Sequence, residues 1–372
     1  MRRLGLDAYR FSVSWPRVLP KGRGQVNQAG LDFYDRLVDT LLAADIEPWL
    51  CLYHWDLPQA LHEGGGWSRR DCAGWFADYT TVMVRRLGDR VPRMAPFNEA
   101  GVFTLLGYGY GMHAPGISDR RAYLQAIHHV NLAHGAAIDA WRTHRATTLL
   151  GSIHAQQPPR PATESAADRW AAGQYDAYWN RCFPDAQLLG HYPAAVAREI
   201  EPWVEAGDMA AIARPLDWFG MNYYHPTFMR AAPQHIYGAE QAPAPAELPR
   251  TGMGWAVDPS GLHEMLGEVW RRYRLPIYIT ENGGGWEEMP DADGKVHDEG
   301  RIDYLEGHIR AVQAARKDGA DVRGYFVWSL LDNFEWAEGY GTRFGIVHVD
   351  YETQKRTPKA SYEWLQRHIR RK

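Results

Sequence analysis

Short apolar runs rich in β-branched and aromatic residues alternate with longer amphipathic segments along almost the whole chain. This alternation is typical of parallel strands joined by crossover helices. The segments 27–44, 72–87, 119–144 and 303–317 have helical periodicity. Seven strands are predicted, at 8–14, 47–53, 93–97, 149–155, 218–224, 277–280 and 324–329. The pattern therefore predicts an α/β fold of the (β/α)8, or TIM-barrel, type.

The 372 residues are predicted to form a single domain, 1–372, because one such barrel commonly reaches this length. We find no solenoid repeat and no linker that would separate two domains. Two segments, 156–165 and 231–258, lack periodicity and are predicted to be long loops. A closed barrel of this type needs eight strands. The seven strand signals therefore predict an incomplete barrel that lacks one strand and its helix at the N-terminus.

Composition excludes several classes of function. A formal net charge of −4 provides no electrostatic footprint for nucleic acid or for an anionic membrane. The cysteines, Cys51, Cys72 and Cys182, are too few and too scattered for a disulfide framework or a zinc site. With neither an apolar leader nor a run of about 18 apolar residues, the chain is expected to be cytoplasmic.

Polar and aromatic residues follow most of the predicted strands. In α/β barrels the active site forms at the carboxyl ends of the strands, so these residues are candidates for function. Arg10 follows the first strand, and Glu99 and Glu281 follow two others. The remaining candidates at these ends are His54, Trp55, Asn98, Asn222, Tyr224, Trp328, Glu335 and Trp336.

Two carboxylates at different strand ends, among Arg, His, Asn and Trp, are suited to glycoside hydrolysis, which needs an acid and an anion together. There is no HExxH pattern and no phosphate-binding glycine loop, so we expect neither a metal nor a cofactor. Taken singly, an Asn-Glu or a Glu-Asn-Gly sequence after a strand is more often a turn or a helix start than a functional site. His54 alone could be a core histidine, and His128, His129 and His134 are predicted to be, because they fall within a helix.

Along nearly its whole length the chain resembles glycoside hydrolase family 1, the β-glucosidase group. The segments that carry the resemblance are 9–17 (YRFSVSWPR), 53–58 (YHWDLP), 98–99 (NE), 111–116 (GMHAPG), 279–283 (ITENG) and 328–336 (WSLLDNFEW). The resemblance implies a retaining mechanism in which Glu281 is the nucleophile and Glu99 the acid/base. It also places Arg10 and Tyr224 beside Glu281.

The same resemblance assigns sugar binding to residues around the two glutamates. The implied set is His54, Trp55, Asn98, Asn222, Trp328, Glu335 and Trp336, with Trp255 as a platform for the leaving group. Glu335 argues against a phosphorylated sugar, because a carboxylate repels a phosphate. The expected substrate is a small β-glucoside, β-galactoside or β-fucoside.

The chain departs from the family pattern at three places. Ala100 replaces the usual proline after the acid/base, and Gly101 replaces a large side chain at the leaving-group site. The family's first strand, with its sugar-binding glutamine, and most of the first helix are missing. Without these elements, the first and seventh predicted strands would be exposed edges of the sheet. We therefore expect a homo-oligomer that covers these edges. The alternative function is a catalytically impaired sugar-binding relic.

Overall fold

The computed structural model describes residues 1–145 and 147–370. The strands in that part of the chain are β1 (Ala8–Ser12), β2 (Glu47–Tyr53), β3 (Arg93–Phe97), β4 (Leu149–Ala155), β5 (Pro159–Pro161), β6 (Trp218–Asn222), β7 (Thr227–Ala231), β8 (Ala239–Ala242), β9 (Ile277–Asn282), β10 (Val322–Val327), β11 (Val347–Val349) and β12 (Arg356–Pro358).

The helices are α1 (Trp15–Val18), α2 (Gln28–Leu42), α3 (Gln59–Glu63), α4 (Asp71–Leu87), α5 (Ala100–Thr104), α6 (Arg120–His144), α7 (Ala166–Tyr175), α8 (Cys182–Pro184), α9 (Ala194–Ile200), α10 (Asp208–Ile212), α11 (Pro259–Tyr273), α12 (Glu299–Lys317) and α13 (Ala360–Arg370). Three π-helical segments, Leu105–Gly109, Asp176–Arg181 and Asp185–Leu189, continue helices, and three short 3-10 turns, Gly66–Ser68, Glu201–Trp203 and Trp336–Glu338, join other elements.

Seven strands form one parallel sheet in the order β1-β2-β3-β4-β6-β9-β10. They coincide with the seven strands predicted from the sequence to within two residues at each end. Helices α2, α4, α6, α11 and α12 provide crossovers between consecutive sheet strands, as expected for parallel pairs. The prediction of a TIM-barrel-type α/β fold is confirmed.

The interior of the sheet is filled by one layer of side chains. Trp49 lies at its centre and meets the rings of Trp218, Tyr278 and Phe326 edge to face, at centroid distances of 5.2, 4.7 and 5.0 Å. The cluster takes one residue from each of the seven strands: Ala8, Trp49, Ala95, Ile153, Trp218, Tyr278 and Phe326. Such a layer requires the sheet to curl almost into a barrel, so the space for a ligand lies at its carboxyl end.

The crossover helices bury one face against this sheet. In α4, Phe76, Tyr79, Met83 and Leu87 are fully buried at a spacing of three or four residues. Asp119 caps the N-terminus of α6, and its Oδ1 accepts a hydrogen bond of 2.6 Å from the backbone N–H of Ala122.

None of the helices in the described part of the chain combines the length and the apolar character that a membrane span requires.

The three histidines of α6 are buried within the helix layer, as predicted. His128 contacts Tyr192 Oη through Nδ1 at 3.0 Å and Asp208 through Nε2 at 2.8 Å. His129 contacts the backbone carbonyl of Trp67 at 3.1 Å. These side chains lie outside the strand ends and support the packing of α6.

The prediction of two irregular segments, 156–165 and 231–258, is wrong in part. β5 lies in the first segment and β8 in the second, and both pair with β7 in a separate three-stranded sheet. β5 has three residues and β8 has four, and β5 contains two prolines, so neither has a local signal for a strand. β5 also pairs with a segment that is distant in sequence, from Pro159 to Thr227, whereas β8 follows β7 closely in the chain.

Candidate active site

The candidate residues from the sequence meet at the carboxyl end of the seven-stranded sheet. Each lies at the end of a strand or in the loop that follows: Arg10 on β1; His54 and Trp55 after β2; Asn98 and Glu99 after β3; Asn222 and Tyr224 at the end of β6; Glu281 on β9; Trp328, Glu335 and Trp336 after β10. Trp255 reaches the cluster from the segment before α11.

Both carboxylate oxygens of Glu281 are held by donors. Arg10 Nη1 lies 2.7 Å from Oε1, and Tyr224 Oη donates to Oε2 at 2.7 Å. Burial, and then the charge of Glu281, raises the pKa of Tyr224 well above its ordinary value, so this hydroxyl keeps its proton. Glu281 is only 3% exposed. A cation and a hydroxyl donor thus orient this buried carboxylate, and neither of its oxygens is left without a partner.

Glu99 has a different environment. Its Oε1 accepts one hydrogen bond of 2.8 Å, from Asn222 Nδ2, and the amide of Asn222 is oriented by Thr280 Oγ1 at 2.6 Å. Burial, and then the charge of Glu281, raises the pKa of Glu99 to about 8. At neutral pH Glu99 therefore keeps its proton, which is what the acid in an acid-assisted displacement needs.

Asn98 links Arg10 to His54. Its Oδ1 accepts hydrogen bonds from Arg10 Nη2 and Asn222 Nδ2, and its Nδ2 lies 3.2 Å from His54 Nε2. Burial, and then the charge of Arg10, lowers the pKa of His54 to about 3, so the ring is neutral. Because Asn98 Nδ2 can only donate, His54 Nε2 accepts, and the proton on Nδ1 is directed to Ser12 Oγ at 3.1 Å.

Aromatic rings form one side of the site. Trp55 lies 4.8 Å from Trp336, and His54 lies 5.7 Å from Trp328, measured between ring centroids. Burial, and then the charge of Glu281, raises the pKa of Glu335 to about 7. Flat apolar rings beside carboxyl and amide groups match the faces and the hydroxyls of a sugar ring.

Trp255 lies at a different side of the same cluster. Its ring centroid is 5.4 Å from that of Tyr224 and 4.9 Å from that of His225. Among the described residues, the ring pairs of Trp255 are with Tyr224, His225 and Phe344, and not with Trp55 or Trp336. The tryptophans thus offer two separate aromatic surfaces.

Three of the six non-glycine residues with positive φ in the described chain lie at the site. Glu99, Trp55 and Trp336 have positive φ angles of 49, 81 and 35°, a region that non-glycine residues seldom adopt. Gly283, two residues after Glu281, has no room for a side chain, because a Cβ there would lie 2.1 Å from the carbonyl oxygen of Trp328. Strain of this kind persists only where the surrounding structure over-determines it.

Three residues near the glutamates were missed from the sequence. Ser12 lies two positions after Arg10 on the same face of β1, so strand alternation could have indicated it. Thr280 orients Asn222 from β9, and Tyr304 contacts the backbone behind Glu281 from α12. Thr280 lies within the segment 279–283 that carries the family resemblance, but its contact with Asn222, 58 residues away, had no local signal. Tyr304 lies outside those segments, and its partner is 80 residues away in the chain.

Comparison with known proteins agrees with this geometry. A family model described as "Glycosyl hydrolase family 1" matches residues 1–372. The chain belongs to glycosyl hydrolase family 1. Beta-glucosidase A of Thermotoga maritima is 43% identical over 98% of this chain and 82% of its own length. A beta-glucosidase of an Agrobacterium species is 44% identical over 98% of this chain and 80% of its own length.

Solved structures of family 1 enzymes have the same fold. The T. maritima beta-glucosidase in complex with deoxynojirimycin superposes with a TM-score of 0.94 at 41% identity, covering 99% of this chain and 84% of that one. Its complex with glucoimidazole gives the same score. As a family 1 member, this chain is a glycoside hydrolase that acts on O-glycosyl bonds.

Proposed function

We propose that this protein is a retaining β-glycosidase that hydrolyses small unphosphorylated β-glucosides through a glycosyl-enzyme intermediate. The observation that carries the proposal is the unequal environment of the two glutamates. Arg10 and Tyr224 bind both oxygens of Glu281, whereas Glu99 has one amide donor and its pKa is raised to about 8. This difference matches a nucleophile and an acid.

In the first step, a carboxylate oxygen of Glu281 forms a bond to the anomeric carbon. The bond from that carbon to the leaving-group oxygen breaks, and the proton of Glu99 moves to that oxygen. Glu99 is left ionised because it has given up its proton. The glycosyl ester leaves Glu281 uncharged, which removes the second of the two main causes that raised the pKa of Glu99, while burial remains.

In the second step, Glu99 removes a proton from water as the water oxygen bonds to the anomeric carbon. The ester bond breaks, Glu281 regains its charge, and the sugar leaves with its original anomeric configuration. Asn222 keeps Glu99 oriented throughout. Every proton in this cycle is carried by Glu99, so no metal or cofactor is required.

The surrounding side chains are proposed to hold the sugar. Asn98 binds the 2-hydroxyl, and this contact strengthens in the transition state. His54 and Glu335 bind other hydroxyls. Trp55, Trp328 and Trp336 stack on the ring. Trp255, on its separate surface, supports the leaving group.

Glucosides are the proposed first choice of substrate, with fucosides and galactosides next. The named relatives include a bifunctional beta-D-glucosidase/beta-D-fucosidase of Bifidobacterium breve, 40% identical over 99% of this chain and 85% of its own length.

Glu335 disfavours 6-phosphorylated sugars. Because its pKa is raised to about 7, the repulsion grows as pH rises above that value.

A direct assay tests the function. The 372-residue chain is expected to release nitrophenol from 4-nitrophenyl β-D-glucoside, and its Glu281→Ala variant is not. Equal rates for the two proteins would reject the enzymatic role. The alternative, a sugar-binding relic, predicts two inactive proteins that still bind deoxynojirimycin in a calorimeter.

Activity is expected to fall on the alkaline side as pH passes about 8, because the first step needs Glu99 protonated and its pKa is raised to about 8. Below that pH the proton is present, and above it the acid is lost. The measurement is kcat/KM for 4-nitrophenyl β-D-glucoside from pH 5 to 10. An alkaline limb with its midpoint below pH 6 would contradict the assignment.

We further propose that the family's first strand has no counterpart in residues 1–372 and that a second copy of the chain covers the resulting edges. Among the described strands, β1 pairs only with β2 and β10 only with β9. Tyr325, Phe326 and Val327 of β10 are partly exposed, whereas every residue of the inner strands β6 and β9 is buried. Light scattering that finds only monomers would reject the oligomer.

A further inference from the structure

The backbone that carries Tyr224 and Glu281 is held from behind by one side chain of α12. Tyr304 is 1% exposed, and its hydroxyl donates a hydrogen bond of 2.8 Å to the backbone carbonyl of Tyr224. The same hydroxyl accepts a hydrogen bond of 3.1 Å from Asn282 Nδ2. Tyr304 therefore touches the chain on both sides of the Tyr224–Glu281 contact.

Asn282 extends this arrangement between β6 and β9. It is fully buried, and its Nδ2 also donates to the carbonyl of Tyr223 at 2.6 Å. Its Oδ1 accepts from Tyr325 Oη of β10. The residue next to Glu281 is thus tied to the residue next to Tyr224, and Tyr304 closes the link.

Helix α12 is itself anchored to the loops at this end of the sheet. Arg301, one turn before Tyr304, donates to the backbone carbonyls of Gly284 and Phe344, the latter at 3.1 Å. It is 1% exposed and pairs with Asp298 at 2.9 Å and Glu288 at 2.7 Å. Because the contacts of Arg301 fix α12, they also fix the position of the Tyr304 hydroxyl behind the active site.

The geometry points to Tyr304 as a positioning residue that acts through the main chain of Tyr224 to set the hydrogen bond from Tyr224 Oη to Glu281 Oε2. This inference rests on the proposed function, and it adds a residue that touches no reacting atom. The bond that it controls is 2.7 Å long and lies at the attacking carboxylate. Misplacement of such a group affects the chemical step more than the binding of the sugar.

The test is a double-mutant cycle of Tyr304→Phe and Tyr224→Phe. Tyr304→Phe alone is expected to lower kcat for 4-nitrophenyl β-D-glucoside roughly tenfold and to leave KM within about twofold. In the Tyr224→Phe background the same change is expected to lower kcat less than about threefold, because the bond that it positions is already gone.

Tyr192→Phe is the matched control. The Tyr192 hydroxyl also has two buried hydrogen bonds, one with His128 at 3.0 Å and one from Asn131 Nδ2 at 3.3 Å. Both partners belong to α6, away from the two glutamates. The control is expected to lower Tm as much as Tyr304→Phe does and to leave kcat unchanged. Losses that multiply in the cycle, or equal kcat for Tyr304→Phe and the control, would overturn the inference. An inactive wild-type chain would overturn the proposed function, and the inference with it.

Discussion

Replacing Glu281 by alanine is expected to lower kcat for β-glucoside hydrolysis on the order of 10⁶-fold, which is the loss measured when a serine protease loses its covalent nucleophile. Alanine has no oxygen that can reach the anomeric carbon. It also leaves Arg10, 2.7 Å from the lost carboxylate, without its anionic partner. The measurement is steady-state kinetics with 4-nitrophenyl β-D-glucoside.

The nucleophilic role makes a second, stereochemical prediction for the same variant. The shortened side chain leaves a space beside Arg10 that a small anion such as azide can fill. Azide attacking from there displaces the leaving group once, so the product is the α-glucosyl azide, which NMR identifies. Glu335→Ala is the control carboxylate variant and is expected to show no such product. A β-glucosyl azide from Glu281→Ala would contradict the assignment.

Replacing Glu99 by alanine is expected to produce a loss that depends on the leaving group. A methyl or glucosyl leaving group needs a proton, so its hydrolysis should fall by about 10²- to 10⁴-fold, the usual contribution of a general acid. 2,4-Dinitrophenolate needs none, so its first step should be nearly unchanged. The ester then accumulates, because no base activates water, and a burst of dinitrophenol precedes a slow steady state.

Two further measurements on Glu99→Ala separate an acid/base from a structural residue. Azide needs no base, so it should speed the slow phase and give the β-glucosyl azide, the opposite anomer to that from Glu281→Ala. The alkaline limb near pH 8 should also vanish from kcat/KM for 4-nitrophenyl β-D-glucoside. Glu99→Gln is the isosteric control and should behave in the same way. Equal losses for all leaving groups would contradict the role.

The strands of the barrel could be predicted because their signal is local. Strands such as β6 and β9 are buried on both faces, so they appear as nearly continuous apolar runs between turns. The three-stranded sheet of β5, β7 and β8 was not predicted, because β5 contains two prolines and pairs with β7 over a long sequence separation, and β8 has only four residues with no β-branched or aromatic side chain.

The candidate residues were also predictable, because parallel strands bring their carboxyl ends to the same edge. Arg10 and Glu281 are 271 positions apart and still form an ion pair. Strand position alone could not distinguish the roles of the two glutamates, and only the family resemblance predicted Glu281 as the nucleophile and Glu99 as the acid/base. Each follows a buried strand and each has an asparagine beside it, Asn98 or Asn282.

The sequence by itself determined the succession of strands along the chain and the strand ends at which Glu99 and Glu281 lie, because these depend on periodicity and strand position. Only the tertiary structure decided which donors contact each glutamate, which nitrogen of His54 carries hydrogen, and that Tyr304 lies behind Tyr224. Each depends on a few atoms within about 3 Å, where the strengths of hydrogen bonds and ion pairs are set. Folding alone brings those atoms together.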